Sequence, residues 1–148
     1  MLIGIDPILG PDILHGLRAM GHGDELVIAD GSFPAETVAR RLVRMEAADL
    51  RGMLRAVLSV LPIDESEPDP VLGMEVIGNP TCDMPAHGLI REALAGVAGG
   101  HRPAGGHHLA LLERFAFYDR AKRASLVIAT GERLFYGNVI IRKGTVAA

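Results

Sequence analysis

Two kinds of apolar spacing alternate along this chain, and the alternation constrains its fold more than any other feature of the sequence. Ile13, Leu17 and Met20 recur at the spacing of one helix face, whereas Glu25–Ala29 is a short apolar run typical of a strand. Chains in which such segments alternate fold as α/β domains. The 148 residues suffice for one compact core. We therefore predict a single α/β domain spanning residues 1–148.

The same patterns locate individual elements. Asp49 is the predicted N-cap of the clearest helix, whose apolar stripe runs to Leu61 and stops at Pro62. Further helices are predicted at 11–20, from an opening at 32–35 to about 40, at 85–97 and at 113–124, and strands at 25–29, 71–77, 109–112, 126–130 and 138–142. The stretch 109–112 is predicted to be a buried strand, and 63–70 and 99–106 are predicted loops.

Composition excludes several classes of function. A net charge of −3 and the absence of tryptophan offer neither a basic footprint nor a stacking platform for nucleic acid. The single cysteine, Cys82, cannot form an internal disulfide, which fits a reducing compartment. The first residues lack the pattern of a signal peptide, and the apolar runs are too short to span a bilayer. We expect a cytoplasmic protein with no nucleic-acid or membrane partner.

His22 stands between Gly21 and Gly23, where a predicted helix ends and a predicted strand begins. The flanking glycines allow a ligand or another backbone to approach closely. A nearby helix C-terminus would favour the imidazolium form, which suits a proton donor near neutral pH. The alternative is that His22 merely caps the helix, and the sequence leaves both interpretations open.

Polar residues also stand where predicted strands begin and end. Asp30 follows a strand, at the edge of an open α/β sheet where ligands bind, although an Asx-turn with Gly31 is the more common explanation of such a residue. Tyr136, Gly137 and Asn138 directly precede the last predicted strand. They indicate either a turn or a polar clamp on a ligand.

Arg114 and Tyr118 are four residues apart on a predicted helix and therefore share one face. A guanidinium and a phenol could hold sugar hydroxyls, but the same pair is common on protein surfaces. Phe115 and Phe117 are interpreted as core residues.

Three histidines, His101, His107 and His108, suggest a metal, but their irregular spacing matches no zinc signature. The segment Gly21–Gly23 lacks the third glycine and the following helix of a dinucleotide fingerprint. No serine stands in the context of a nucleophile. The sequence therefore predicts no metal and no cofactor.

Five separated motifs resemble, in order, the L-fucose mutarotase and D-ribose pyranase family. They are Gly21-His22-Gly23-Asp24-Glu25, Asp30 with Phe33-Pro34, Arg114-Phe115-Ala116-Phe117-Tyr118, Thr130-Gly131-Glu132-Arg133 and Tyr136-Gly137-Asn138. The resemblance implies a mostly parallel central sheet flanked by helices and a ring-shaped homo-oligomer, often a decamer, with sites near subunit boundaries. It also implies His22 as proton donor and Asp30, Arg114, Tyr136, Gly137 and Asn138 as monosaccharide-binding positions.

Arg114 separates the two branches of that family. Mutarotase-type members resemble this chain in carrying arginine before Phe-Ala-Phe-Tyr, whereas pyranase-type members tend to carry histidine there. The resemblance thus favours L-fucose mutarotation, a cofactor-independent isomerase activity, over D-ribose ring conversion. The open alternatives are a D-ribose pyranase and a monosaccharide-binding ring without catalysis.

The chemistry of mutarotation needs only proton transfers. The pyranose ring opens when its ring oxygen gains a proton and the anomeric hydroxyl loses one, and an acid–base pair accelerates such a step by roughly 10²–10⁴-fold. His22 as imidazolium is the expected acid. A bound water and the Tyr136 phenol are both possible bases.

Overall fold

In a computed structural model, which describes residues 1–97 and 107–146, the chain forms one six-stranded sheet with helices on both faces. The elements in chain order are α1 (Pro11–Ala19), β1 (Glu25–Ala29), α2 (Ala35–Val38), β2 (Leu42–Met45), α3 (Leu50–Leu58), β3 (Val71–Met74), α4 (Pro85–Ala95), β4 (Ala110–Leu112), α5 (Arg114–Ala121), β5 (Leu126–Thr130) and β6 (Val139–Arg142). The predicted α/β domain is confirmed. Within the described residues no helix combines the length and apolar character that a membrane span requires.

The strand order is β2-β5-β1-β6-β3-β4. Strand β1 pairs in parallel with β5, β5 with β2, and β3 with β4, whereas β6 runs antiparallel to both of its neighbours. The predicted mostly parallel sheet is therefore confirmed. Five strands end at one edge of the sheet, which we call the carboxyl edge, and β6 begins there. At the opposite edge, the amino edge, the five parallel strands begin and β6 ends.

Alternating side chains of the central strands build two cores. Leu26 and Ile28 of β1 point to the face covered by α1, α3 and α4, whereas Val27 and Ala29 point to the face covered by α2 and α5. Every residue from Leu26 to Ala29 is inaccessible to solvent, so β1 is packed on both faces and holds the two edges of the sheet at a fixed distance.

Local signals account for the best predicted helices. Pro11 occupies the first turn of α1, where its missing N–H costs nothing. Asp49 caps α3 as predicted, because its Oδ1 accepts a hydrogen bond of 2.7 Å from the backbone N–H of Gly52. The helix then buries the predicted stripe, including Leu50, Met53 and Leu54.

Some predictions were wrong in detail. Strand β2 was missed because Leu42–Met45 is short, contains the charged Arg44 and is mostly half-buried, and it becomes a strand by pairing with β5. The predicted buried strand at 109–112 is half-buried over Ala110–Leu112, because it lies at the edge of the sheet. Phe117 lies in the core, but Phe115 is 60% exposed because it lies on the outer face of α5. The predicted loop at 99–106 and His101 lie outside the described residues.

Candidate active site

All five residues predicted to bind a sugar lie at the carboxyl edge. Asp30 follows β1 directly, and Tyr136, Gly137 and Asn138 lead into β6, the antiparallel neighbour of β1. The pairing of Ile28 with Val139, continued by two residues, sets Asp30 opposite Gly137. Arg114 follows β4 at the start of α5. Sheet register thus brings together residues that lie more than a hundred positions apart in the chain.

Asp30 and Asn138 hold each other through reciprocal hydrogen bonds. The backbone N–H of Asp30 donates to Oδ1 of Asn138 at 3.0 Å, and Nδ2 of Asn138 donates to Oδ2 of Asp30 at 2.9 Å. Both side chains are buried. These reciprocal bonds fix the orientation of the Asn138 amide, and both of its polar atoms bind Asp30.

The Asp30 carboxyl accepts two further hydrogen bonds from the backbone. The N–H of Gly137 donates to Oδ2 at 3.1 Å, and the N–H of Ser32 donates to Oδ1 at 2.9 Å in an Asx-turn. Burial raises the pKa of Asp30 above its ordinary value of 3.8, and the hydrogen bonds from Ser32, Asn138 and Gly137 offset only part of that rise. Asp30 therefore forms the predicted Asx-turn, and it lies at the predicted carboxyl edge of the sheet.

Tyr136 adopts a strained backbone at the same edge. Its φ of 63° lies in the left-handed region, which a bulky residue rarely adopts without support from its surroundings. Its hydroxyl accepts a hydrogen bond of 3.2 Å from the N–H of Ile77, and its ring lies 6.3 Å from that of the buried His87. Sequence reasoning overlooked His87, whose imidazole contacts the carbonyl of Met74 at 2.9 Å, because nothing distinguishes it from other helical histidines.

Arg114 and Tyr118 lie on one face of α5, as the spacing predicts, and both line the same cleft. The guanidinium carbon of Arg114 lies 4.6 Å from the centre of the Phe115 ring. Its Nε is buried, and no hydrogen-bond partner for it exists in the described part of the chain. Buried donors are nearly always paired, so Nε is an exception among the described residues.

These residues surround an open cleft of about 300 Å³. Its polar walls carry Asp30, Arg114 and Asn138, and its apolar walls include Ile77 and Phe135. A mixture of a carboxylate, a guanidinium and apolar surface suits a small polyhydroxylated ligand. The hydroxyls of such a ligand donate hydrogen bonds to the carboxylate and accept them from the guanidinium.

His22 lies at the amino edge and is not brought together with the cleft. It precedes β1, whereas Asp30 follows it, and a five-residue strand spans about 16 Å. Nε2 of His22 instead lies 3.2 Å from Oδ1 of Asp64, a buried carboxylate that sequence reasoning did not single out. Asp64 stands in an acidic, proline-rich loop, where no local signal separates it from Glu65 or Glu67.

His22 does not cap helix α1. The Nζ of Lys143 occupies that position, because it donates to the carbonyl oxygens of Leu17 at 2.8 Å and Met20 at 2.6 Å. The histidine side chain is 51% exposed and remains available to a ligand.

The described histidines, cysteine and carboxylates form no cluster of three or more that could hold a metal ion. His108 pairs with Asp69, with 2.6 Å between Nε2 and Oδ1.

Fold and cleft together define a single-domain α/β protein with a candidate small-molecule site at the carboxyl edge of its sheet. Residues 3–146 match the RbsD / FucU transport protein family, and the chain belongs to that family. The resemblance inferred from the five motifs is thereby confirmed.

Named relatives match over nearly their whole length. The chain is 39% identical to the fucose mutarotase of Homo sapiens, over 99% of this chain and 95% of that one. It is 37% identical to the L-fucose mutarotase of Histophilus somni strain 2336, over 97% and 96%. A crystal structure of the fucose mutarotase from Streptococcus pneumoniae in complex with L-fucose superposes with a TM-score of 0.87 at 32% identity, covering 99% of this chain and 100% of that one.

Proposed function

We propose that this protein is an L-fucose mutarotase, an isomerase that interconverts the α and β anomers of the free sugar without a cofactor. The observation that carries the proposal is the cleft that the cationic side chain of Arg114 and the acidic side chain of Asp30 line together. The full-length similarity to two proteins named as fucose mutarotases supports the choice of sugar.

In this proposal the cleft holds the sugar and does not itself open the ring. Asp30 accepts hydrogen bonds from sugar hydroxyls, and the guanidinium of Arg114 donates to a sugar oxygen. Asn138 keeps the carboxylate of Asp30 in place through their reciprocal bonds. Groups fixed in this way orient the sugar so that its anomeric carbon can rotate after the ring opens.

His22 supplies the acid. The imidazolium gives a proton to the ring oxygen while the bond between that oxygen and the anomeric carbon breaks, its electrons staying on the oxygen. The anomeric hydroxyl loses its proton to a water molecule, and its oxygen becomes the aldehyde oxygen. Rotation of the aldehyde and reversal of these transfers close the ring on the other face, so that no atom or electron is gained or lost.

The distance between the two edges requires a second copy of the chain. Because β1 separates His22 from Asp30 by about 16 Å, one sugar can contact both only when His22 comes from a neighbouring copy. Such a contact joins the amino edge of one copy to the carboxyl edge of the next. Contacts between unlike surfaces close into rings when the rotation allows it, which agrees with the predicted ring and with a decamer.

The exchange rate between fucose anomers, measured by saturation-transfer NMR, tests the function. His22→Gln should reduce exchange to the rate in buffer, whereas His15→Gln, which changes an exposed histidine on α1, should keep the wild-type rate. Full exchange in His22→Gln would remove His22 from the mechanism. Fucose bound without any exchange in the wild type would identify a binding ring, and faster D-ribose ring conversion would identify a pyranase.

Mixing variants tests the shared site. His22→Gln and Arg114→Ala are each expected to be inactive, yet assemblies refolded from an equal mixture should recover about a quarter of the sites, in which an intact cleft meets an intact His22. An inactive mixture would contradict the two-copy arrangement. Native mass spectrometry of the wild type gives the number of copies and checks the predicted decamer.

We also propose a cytoplasmic location, because the chain's only cysteine, Cys82, is free and suits a reducing compartment. Cell fractionation with detection of the native protein tests this location.

A further inference from the structure

Glu132 lies at the carboxyl edge, and its carboxylate accepts hydrogen bonds from three backbone N–H groups. Its Oε1 accepts from the N–H of Arg133 at 2.7 Å and from the N–H of Leu134 at 2.8 Å. Its Oε2 accepts a bond of 3.1 Å from the N–H of Leu50, the first residue of α3. The two oxygens of Glu132 therefore join the segment 133–137, which precedes β6, to the start of α3.

The helix side of this link is firmly held. Leu50, Met53 and Leu54 of α3 are inaccessible to solvent. A carboxylate at a helix N-terminus also interacts favourably with the helix dipole. Glu132 thus has a fixed point of attachment in the core.

The backbone of Glu132 is tied to the chain on both sides of Asp30. Its carbonyl accepts a hydrogen bond of 2.9 Å from the N–H of Gly31. Its N–H donates to Oγ1 of Thr130 at 3.2 Å, and the hydroxyl of Thr130 donates to the carbonyl of Ala29 at 2.8 Å. Glu132 therefore keeps a fixed position relative to the carboxylate that faces the cleft.

The side chain of Glu132 packs directly against Gly137. A Cβ on Gly137 would lie 3.2 Å from Cγ of Glu132 and 3.3 Å from Cβ of Asp30, so the backbone of Gly137 fits closely between these two side chains. In that position the N–H of Gly137 donates to Oδ2 of Asp30 at 3.1 Å. The stem of Glu132 therefore supports one of the hydrogen bonds that orient the Asp30 carboxyl.

The segment 133–137 also contains the strained Tyr136. A bulky residue keeps a φ of 63° only where the surrounding structure determines it. The bond from Gly137 to Asp30 fixes the chain after Tyr136, and Glu132 fixes the chain before it through the N–H of Leu134. Without Glu132 the chain is held on one side only, and Tyr136 can relax to an ordinary conformation.

We propose that Glu132 is a positioning residue for the cleft, because it holds the segment 133–137 so that Tyr136 and Gly137 keep the geometry in which sugar binds. This inference rests on the proposed mutarotase function. Glu132 itself neither touches the sugar nor transfers a proton. Its loss should therefore weaken the binding of fucose and leave proton transfer by His22 nearly unchanged.

Two substitutions of Glu132 test this role through the kinetics of anomer exchange in saturation-transfer NMR. Glu132→Ala removes the acceptor of all three N–H groups, and we expect KM for fucose to rise about 10-fold or more with kcat changed less than about threefold. Glu132→Gln keeps the size of the side chain and one acceptor oxygen, so KM should rise by a smaller factor, about threefold or more. Titration calorimetry should give the same order for the dissociation constants of fucose.

Asp49→Ala is the matched control. Asp49 is the other carboxylate at the start of α3, but it accepts its hydrogen bond from the N–H of Gly52. The substitution should lower stability in urea unfolding and leave both KM and kcat at their wild-type values. An equal rise of KM in Asp49→Ala would show that any loosening of α3 disturbs the cleft, and it would overturn the specific role of Glu132.

The outcomes separate this inference from the function on which it rests. A wild-type KM in Glu132→Ala, or a fall in kcat at unchanged KM, would overturn the positioning role and leave the mutarotase proposal intact. If Glu132→Ala does not fold, Glu132→Gln decides by the same criterion. If the wild type neither binds fucose nor exchanges its anomers, the mutarotase proposal fails and the role of Glu132 fails with it.

Discussion

Asn138→Asp is a nearly isosteric change that converts the reciprocal bonds with Asp30 into a contact between two carboxyl groups. The N–H of Asp30 keeps its acceptor at Oδ1, but the oxygen that replaces Nδ2 lies about 2.9 Å from Oδ2 of Asp30. Two ionised carboxylates at that distance repel each other by about 6 kcal/mol at an effective dielectric constant of about 20. Binding a proton at pH 7 costs less, about 4 kcal/mol for a carboxyl with an ordinary pKa. The pair therefore takes up one proton.

The protonation sets both the magnitude and the sign of the pH dependence. The folded-state pKa of the pair is raised above the unfolded value, so stability is lost as pH rises through that window and regained as pH falls. Relative to wild type, the variant should lose up to about 4 kcal/mol of unfolding free energy at pH 7 and only about 1.5 kcal/mol at pH 5. In the wild type, burial raises the pKa of Asp30 and gives a dependence of the same sign.

Urea unfolding of both proteins at pH 7, 6 and 5, at one fixed protein concentration, measures this difference. Asn138→Ala is the comparator, because it removes the amide, leaves the buried N–H of Asp30 unpaired at a cost of about 1–3 kcal/mol, and adds no acid. The loss of unfolding free energy in Asn138→Ala should change much less with pH. If Asn138→Asp loses the same unfolding free energy at all three pH values, the two carboxyl groups do not repel each other as argued.

Two matched pairs of variants test the packing that supports the site. Phe117→Ala should lower the free energy of unfolding by about 3–5 kcal/mol, because Phe117 is fully buried. Phe115→Ala, at a position 60% exposed, should lower it by about 1 kcal/mol or less. Equal losses in urea unfolding would contradict the assigned faces of α5. Gly131→Ala should cost about 1–3 kcal/mol because the added methyl overlaps a backbone carbonyl after β2, and Gly88→Ala, with open space inside α4, should raise stability by about 0.5–1 kcal/mol. A stable Gly131→Ala protein would show that the strand ends can separate there.

The sequence predicted elements wherever the determining signal is local. Pro11 in a first turn and Asp49 as an N-cap act within four residues, so their helices begin where expected. Strand β2 depends on β5, which lies more than eighty positions away in the chain, and its own residues carry neither alternation nor a continuous apolar run. Tertiary pairing decided its conformation, and single-sequence patterns do not contain that information.

In the candidate site, too, the sequence predicted the residues that local motifs mark and missed those that depend on distant contacts. The identities of Asp30, Arg114 and Asn138 followed from motif order, and the structure places all three in one cleft. The partners Asp64 and His87 escaped notice, because a buried role for a polar residue in a loop or helix emerges only when distant elements pack against it. The separation of His22 from the cleft could not be predicted from the sequence either, since it depends on the direction of β1 within the sheet.

That separation has one structural origin. The antiparallel pair of β1 and β6 carries polar residues at both ends, with Asp30 opposite Gly137 at the carboxyl edge and Arg142 beside the His22 turn at the amino edge. The residues between the ends are buried on both faces, so the two edges are held at a fixed spacing. A chain built in this way cannot bring His22 to its own cleft. The proposed catalysis by His22 at that cleft therefore requires assembly, and dilution to separated subunits should abolish exchange before it unfolds the chain.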